Sequence, residues 1–242
     1  MYDEDVLKKF LDFDSHEKII CEFYKFDNSS VSVTSDDTKK FIYIPGKRKD
    51  RVLLVSSLVS ESDYEILGNS IFENGIYRSS DPKARLDVER AGSAILYLLR
   101  DTGHSLLITV DKNTWDVFSP NVLQIIKTCN KDLYCEFNHT HQYVLEFNYK
   151  NSNNLNFCGL PVTQDFKDFL KSRTGFNEAE SKKFTYSNIK ELCEDICGVS
   201  VSAGYYKPQK RTSFLKLDAW EKILDIFRIF LKEPQPRFRI SK

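Results

Sequence analysis

The chain has no net charge, no apolar run of membrane-spanning length, no dense cysteine framework and only four histidines. Each shortage removes a class of function. Thirty-five basic residues balance thirty-five acidic ones, so no net field steers the chain toward nucleic acid or anionic lipid. No stretch reaches the roughly 18 apolar residues that a transmembrane helix requires, and residues 1–5 offer neither the basic nor the apolar region of a signal peptide. The expectation is a cytoplasmic protein without a nucleic-acid or membrane partner. Cys21, Cys129, Cys135, Cys158, Cys193 and Cys197 are scattered, which reads as free thiols rather than a secreted disulfide scaffold. The sequon at Asn138, His139 and Thr140 has meaning only in a secreted chain. There is no Gly-x-Ser-x-Gly elbow, no phosphate-binding Gly-Lys-Ser/Thr loop, no His-Glu-x-x-His helix and no internal repeat.

What is present is globular. The 242 residues are 41% hydrophobic and 13% aromatic, enough to bury one large core. Residues 1–233 read as one α/β domain and 234–242 as a short basic tail. Val6, Leu7, Phe10 and Leu11 recur at helical spacing, and a second periodic stretch covers 17–26. Residues 31–44 alternate as a hairpin broken near Ser35. Val52 to Leu58 is a continuous apolar run, as in a strand covered on both faces. Residues 60–84 have weak periodicity and several turn pairs, Asn74-Gly75 among them. Ala91, Ala94, Ile95, Leu98 and Leu99 define a helix over 88–100 that Gly103 stops, and 105–110 is again a buried-type strand. Helices are predicted over 121–129, 163–173, 186–197 and 217–231, and strands from His141 to Phe147 and from Val199 to Tyr206. Strand, helix, strand in this order predicts a three-layer α/β/α domain around a mixed, mostly parallel sheet.

Four blocks carry a family likeness: residues 51–59, residues 90–110 with their Arg-Ala-Gly and Gly-His-Ser-Leu-Leu-Ile-Thr runs, residues 171–180 with Lys-Ser-Arg-Thr-Gly-Phe-Asn-Glu-Ala-Glu, and residues 196–206 with Cys-Gly-Val-Ser-Val-Ser-Ala-Gly-Tyr-Tyr. They resemble the co-catalytic zinc aminopeptidases and their relatives over about residues 41–232. The resemblance implies a site of two cations held by His and carboxylate ligands, with a Glu base for the bridging water. Laid on this chain, it puts the strand-end His at Ser57 and the following Asp at Val59. The bridging Asp falls at Val88 and the Glu pair at Lys112 and Asn113. The later Asp falls at Asn148 and the last His at or near Gln209. Every one of these is a poor ligand, and a cation at Lys112 repels zinc. Asp87, Glu89 and Asp111 flank the vacated positions, so a one-residue bulge is the way a site would be rebuilt.

Other readings are weaker. His139 and His141, two apart on an expected strand, share a face and form the one His pair at metal-gripping spacing, although the same parity puts Asn148 on the opposite face. His104 lies in the Gly-His-Ser turn, where a structural hydrogen bond is expected. Cys193 and Cys197 stand at i and i+4 of an expected helix, a spacing that usually packs a core. Ser56 and Ser57 have no histidine expected within reach. The sequence therefore reads as a peptidase-like pseudoenzyme without cofactor or metal that binds a protein partner, against the alternative of an active zinc hydrolase with displaced ligands. The basic segment Lys207, Lys210 and Arg211 is the expected contact, with the aromatic last helix (Trp220, Phe227, Phe230) as a second candidate surface.

Overall fold

The computed structural model describes residues 2–25, 31–36, 39–60, 67–112, 122–179, 189–207 and 210–241. Two short helices, α1 (Asp3–Leu11) and α2 (His16–Tyr24), precede the antiparallel pair β1 (Val31–Asp36) and β2 (Lys39–Ile44). Then come β3 (Leu53–Ser60) and a hairpin of β4 (Ser70–Glu73) and β5 (Ile76–Ser79). This hairpin occupies the stretch that sequence periodicity left undefined. Its turn is Asn74-Gly75, both at positive φ (52° and 77°), the conformation a tight hairpin demands and Asn-Gly supplies.

Helix α3 (Arg90–Leu99) leads to β6 (Ser105–Lys112) through Gly103, whose φ of 78° needs no Cβ penalty. Helices α4 (Val122–Cys129) and α5 (Lys131–Thr140) lead to β7 (Val144–Tyr149) and the short β8 (Asn154–Asn156). Next are α6 (Gln164–Thr174), β9 (Asn177–Glu178), the single turn α7 (Ile189–Leu192) and β10 (Gly198–Ser202). The chain ends with β11 (Tyr205–Tyr206), β12 (Phe214–Lys216) and α8 (Leu217–Phe230).

The main sheet runs β1-β2-β6-β3-β7-β10-β8-β9, and its centre, β6-β3-β7-β10, is parallel. A second sheet, β11-β12-β5-β4, is antiparallel. Strand periodicity sorts the core into two layers. Leu54, Leu106, Ile108, Leu145 and Phe147 face one side with α1, α2, α3, α6 and α8, while Leu53, Val55, Leu107 and Val144 face the other with α4, α5 and α7. Because both faces are covered, the central strands are apolar without interruption. This is the expected three-layer α/β/α arrangement.

Helix α3 sits unusually close to the sheet. A Cβ placed on Gly92 would lie 1.9 Å from the carbonyl oxygen of Phe147, so only glycine allows this approach. Trp220 of α8, fully buried, donates its indole N–H to the Ala91 carbonyl at 3.1 Å and fixes the same turn from outside. Residues 234–241 lie along the domain: the Cys197 amide donates to Phe238 O and the Phe238 amide to Gln142 O, and Gln235 is buried.

Candidate functional site

In an open parallel sheet, ligands gather outside the carboxyl ends of the strands, where connections diverge. From β3 the chain passes by α3 to β6 on one side, and from β7 it goes on to β10 on the other, so that crevice lies at the ends of β3 and β7. Four of the positions singled out by sequence, Ser57, Val88, Asn148 and, by its backbone, Lys112, belong to the described part of this edge. The side chains of Val59, Asp111 and Lys112, and Asn113 and Gln209 altogether, lie outside the described residues.

Ser56 and Ser57 point to opposite faces. Ser56 Oγ is 2.8 Å from Ser93 Oγ and ties β3 to α3, and Ser57 Oγ donates to Glu146 Oε1 at 3.1 Å. Glu146, in the middle of β7, is 1% exposed. Its position was missed from the sequence, although a glutamate inside the run Val144-Leu-Glu-Phe147 was the signal. Asn148, two residues on, is gripped by Tyr205, whose hydroxyl lies 2.6 Å from Asn148 O and 3.2 Å from its Oδ1. Burial, reinforced by the charges of Glu89, Glu146 and Asp87, pushes the Tyr205 phenol well up, so it stays a donor.

Val88 is fully buried within the larger core layer. Its neighbour Asp87 turns toward the N-terminal helices. There its Oδ2 is 2.7 Å from His16 Nε2 and 2.9 Å from Arg90 Nε. Arg90 in turn donates to the Phe13 carbonyl. All three side chains are buried. Burial pushes the Asp87 carboxyl up, but the His16 hydrogen bond and the charges of Arg90, His16 and Arg85 outweigh it and hold the group well below the usual carboxylate range. The segment that approaches the strand ends is thus anchored by the Asp87–Arg90 ion pair and the His16 contact. Glu89 occupies the N-cap position of α3 and is buried. His16, unremarkable in the sequence, becomes a site residue only through this contact.

The histidine pair expected on one strand face does not form. Asn130 caps α5 by accepting from the Leu133 amide, and Leu133, Tyr134 and Phe137 bury one helical face, so His139 stands exposed in the last turn. His141 follows the helix end and β7 begins only at Val144. Buried, His141 places Nε2 2.8 Å from Ser105 Oγ and Nδ1 3.2 Å from Phe137 O. Burial lowers its pKa to about 3. It sits at the amino end of β6, the opposite edge of the sheet from the crevice. His104 fills the structural role expected of it: Nδ1 accepts from the Val52 amide at 3.0 Å and Nε2 lies 2.8 Å from Leu231 O. Burial lowers its pKa to about 4.

Cys193 and Cys197 do not share a helix, because α7 ends at Leu192 and Cys197 immediately precedes β10. Both are buried, and all six cysteines are unpaired, as expected. Burial raises the Cys193 thiol well above its ordinary value. Of the basic segment, Lys207, Lys210 and Arg211 are exposed. In the last helix, Trp220, Phe227 and Phe230 are buried: they serve the core and do not form a contact surface.

Among the described residues no group of three or more His, Cys, Asp and Glu side chains is placed to hold a metal ion. Among the described residues the crevice offers hydroxyl, amide and phenol groups and two buried carboxylates, Glu89 and Glu146, the latter bonded to Ser57, while Asp87 is committed to Arg90 and His16. These residues do not fit a pair of zinc ions, which calls for imidazole and carboxylate ligands on each.

No protein-family model and no curated protein sequence matches the chain. Solved structures do match. A tripeptidase from Staphylococcus aureus is 9% identical with a TM-score of 0.63, over 96% of this chain and 98% of that one. The aminopeptidase PepT from Bacillus cereus is 6% identical with a TM-score of 0.62, over 96% and 98%. A TET aminopeptidase from the archaeon Thaumarchaeota archaeon SCGC AB-539-E09 is 9% identical with a TM-score of 0.57, over 96% of each chain. These three neighbours are peptidases, and at such identity the likeness is one of fold. The chain has a zinc aminopeptidase-like fold, the one implied by the blocks around Arg90, Gly103 and Gly198.

Proposed function

We propose that this protein is a catalytically inactive, peptidase-like binding subunit. The observation that carries the reading is the fate of the segment 87–90. Val88, where the resemblance puts the bridging aspartate, is closed into the core, and of the two carboxylates that flank it Asp87 is spent on a buried pair with Arg90 and His16. Buried ionic groups need a partner, and here the partners are the Arg90 guanidinium and the His16 ring instead of a metal. A hydrolase of this class also needs a general base, a role worth about a hundredfold to ten-thousandfold in rate, and the base position falls on Lys112 or Asn113.

The retained scaffold implies a retained surface, and the exposed cations Lys207, Lys210 and Arg211 are its first candidates. The partner in this reading is a protein, not nucleic acid. Among the described residues no helix is long and apolar enough to cross a membrane, and six unpaired cysteines suit a reducing compartment, so the proposed location is the cytoplasm.

Elemental analysis of the purified protein, together with turnover of aminoacyl reporter substrates with added zinc, manganese or cobalt and with chelator, tests the proposal. The expected result is no stoichiometric metal and no turnover above background. Two zinc ions per chain with chelator-sensitive hydrolysis would overturn it in favour of an active enzyme with displaced ligands.

A further inference from the structure

The second sheet turns one face inward and leaves the other open. Tyr77, Leu215 and Tyr205, paired across β5, β12 and β11, are buried. Strand alternation sends their neighbours outward: Ile71 and Arg78 with Phe214, Ile76 with Lys216, and Tyr206 beside Phe214. On this outer face the rings of Tyr206 and Phe214 stack at 4.9 Å and 7°, and Lys216 Nζ lies 5.4 Å from the centre of the Tyr206 ring. Where the face meets the segments 79–82 and 211–213 there is a cavity of about 490 Å³, within the range of roughly 300–1,000 Å³ typical of ligand sites.

The cavity has two kinds of lining. Ile76, Pro82 and Phe214 supply apolar surface, and Arg78 and Arg211 stand over it from different chain segments. Both arginines are exposed, and neither makes a hydrogen bond or ion pair among the described residues. Elsewhere this chain pairs its surface arginines freely, as Arg48 with Asp50, Arg51 with Glu136 and Arg228 with Asp3. The one acidic side chain in the lining, Asp81, accepts from the Lys83 amide at 2.8 Å and closes its own turn. Lys216 and Glu73, both paired with Ile76, lie on the same outer face beside the cavity, and Lys210 precedes Arg211 in the chain. In a chain of zero net charge, this is a local excess of cation around an apolar floor.

We infer that this cavity binds an acidic peptide segment, with a bulky apolar side chain seated on Ile76, Pro82 and Phe214 and flanking carboxylates taken by Arg78 and Arg211. Guanidinium forks accept carboxylates in two-point hydrogen bonds, and the aromatic and aliphatic floor provides the anchor that such recognition needs. The inference rests on the binding role proposed above and assigns that role a place: Arg211 belongs to the basic segment already named there, whereas Arg78, 133 residues earlier in the chain, is brought to it only by the pairing of β5 with β12. An acidic peptide suits the site better than a nucleic acid strand, because the cations frame a single half-open apolar pocket instead of tracking along a backbone groove.

The test is fluorescence anisotropy, with chelator present, using a labelled pentapeptide of one phenylalanine between two pairs of glutamates, its lysine counterpart and a labelled oligothymidylate. The acidic peptide is expected to bind at least tenfold more tightly than either, and Arg78→Glu with Arg211→Glu to weaken it by about tenfold or more. Arg78→Gln and Arg211→Gln, each at an exposed position, are expected to leave the urea midpoint unchanged and to weaken binding severalfold, so lost binding is separable from lost folding. Equal binding of the lysine peptide, unchanged affinity in the doubly substituted protein, no binding up to about 1 mM or preference for the oligonucleotide would each overturn the inference. Mass spectrometry of the peptide after a separate incubation with added zinc and no chelator separates the two proposals: a cleaved peptide refutes the inactive reading and leaves the site standing, while an intact peptide that does not bind does the reverse.

Discussion

Replacing Asp87 by Asn tests whether this carboxylate is a structural anion or a latent metal ligand. In the wild type it is 2% exposed, and its partners Arg90 and His16 are 1% and 6% exposed, so neither can turn to water when the negative charge goes. Removing one member of a buried pair leaves the other charge uncompensated, at a cost of about 3–5 kcal/mol. Asn keeps the shape and one acceptor oxygen, which points to the lower end, about 3 kcal/mol. Against a total stability of roughly 5–15 kcal/mol for a protein domain, that is a large fraction. The assay is urea unfolding at pH 7 of wild type, Asp87→Asn, Arg90→Met and the double variant. The double variant is expected to be less destabilised than the sum of the singles, because the stranded guanidinium has gone with its partner. The difference between wild type and Asp87→Asn also carries a pH signature. The folded carboxyl is held below its ordinary value of 3.8, so its contribution is fully present above that pH and is lost as pH falls through and below it. A midpoint for Asp87→Asn within about 0.5 kcal/mol of wild type, the range of an ordinary surface change, would refute the argument and with it the main support for the inactive reading.

Two further outcomes follow from the same packing. His104 and His141 are buried with pKa values lowered to about 4 and about 3, so unfolding takes up protons below pH 6.5 and stability is lost as pH falls. Each contributes a slope of about 1.4 kcal/mol per pH unit, so the urea midpoint should drop steeply between pH 6 and 5 and the drop should be shallower in His141→Gln; a flat profile would contradict the burial. Gly92→Ala forces a Cβ to within 1.9 Å of the Phe147 carbonyl and is expected to cost about 3 kcal/mol or more by overpacking, whereas Ala94→Gly in the same helix, which loses a buried methyl as well as propensity, should cost about 2 kcal/mol. Thermal melts of the two variants decide, and a milder effect at Gly92 would mean that α3 stands farther from the sheet.

Much of the central sheet was legible because its strands are covered on both faces. Leu53 to Val55 and Leu106 to Ile108 read as unbroken apolar runs, and the helix between them announced itself through Ala91, Ala94, Ile95 and Leu99. Gly103 and Gly175 marked helix stops through a conformation that only glycine adopts freely, φ of 78° and 69°. Less visible was the helix over Lys131–Thr140: its signals, the Asn130 cap and the buried Leu133, Tyr134 and Phe137, are spread over a mostly polar stretch, and the two histidines at its end suggested a strand. The hairpin of β4 and β5 was hidden for a related reason. Its four-residue strands are too short to show a period, and only Asn74-Gly75 betrayed it.

At the site, sequence by itself established that Ser57, Val88 and Asn148 are residues of the wrong chemistry for zinc, since ligand type is a property of the side chain. What those residues do instead was decided by tertiary structure. Asp87 could have been a ligand displaced by one position; instead it pairs with Arg90 three residues on and meets His16, which α2 brings to within 2.7 Å from 71 residues away, a contact that no local spacing encodes. Glu146 was an oddity in a strand until β3 presented Ser57 to it across 89 residues. Arg78 and Arg211 were unrelated surface cations until β5 and β12 paired. The local pattern of apolar and polar residues determines which elements form, because burial period is written into neighbouring positions. Which charged groups meet depends on how those elements stack, and that is settled only when the whole core closes.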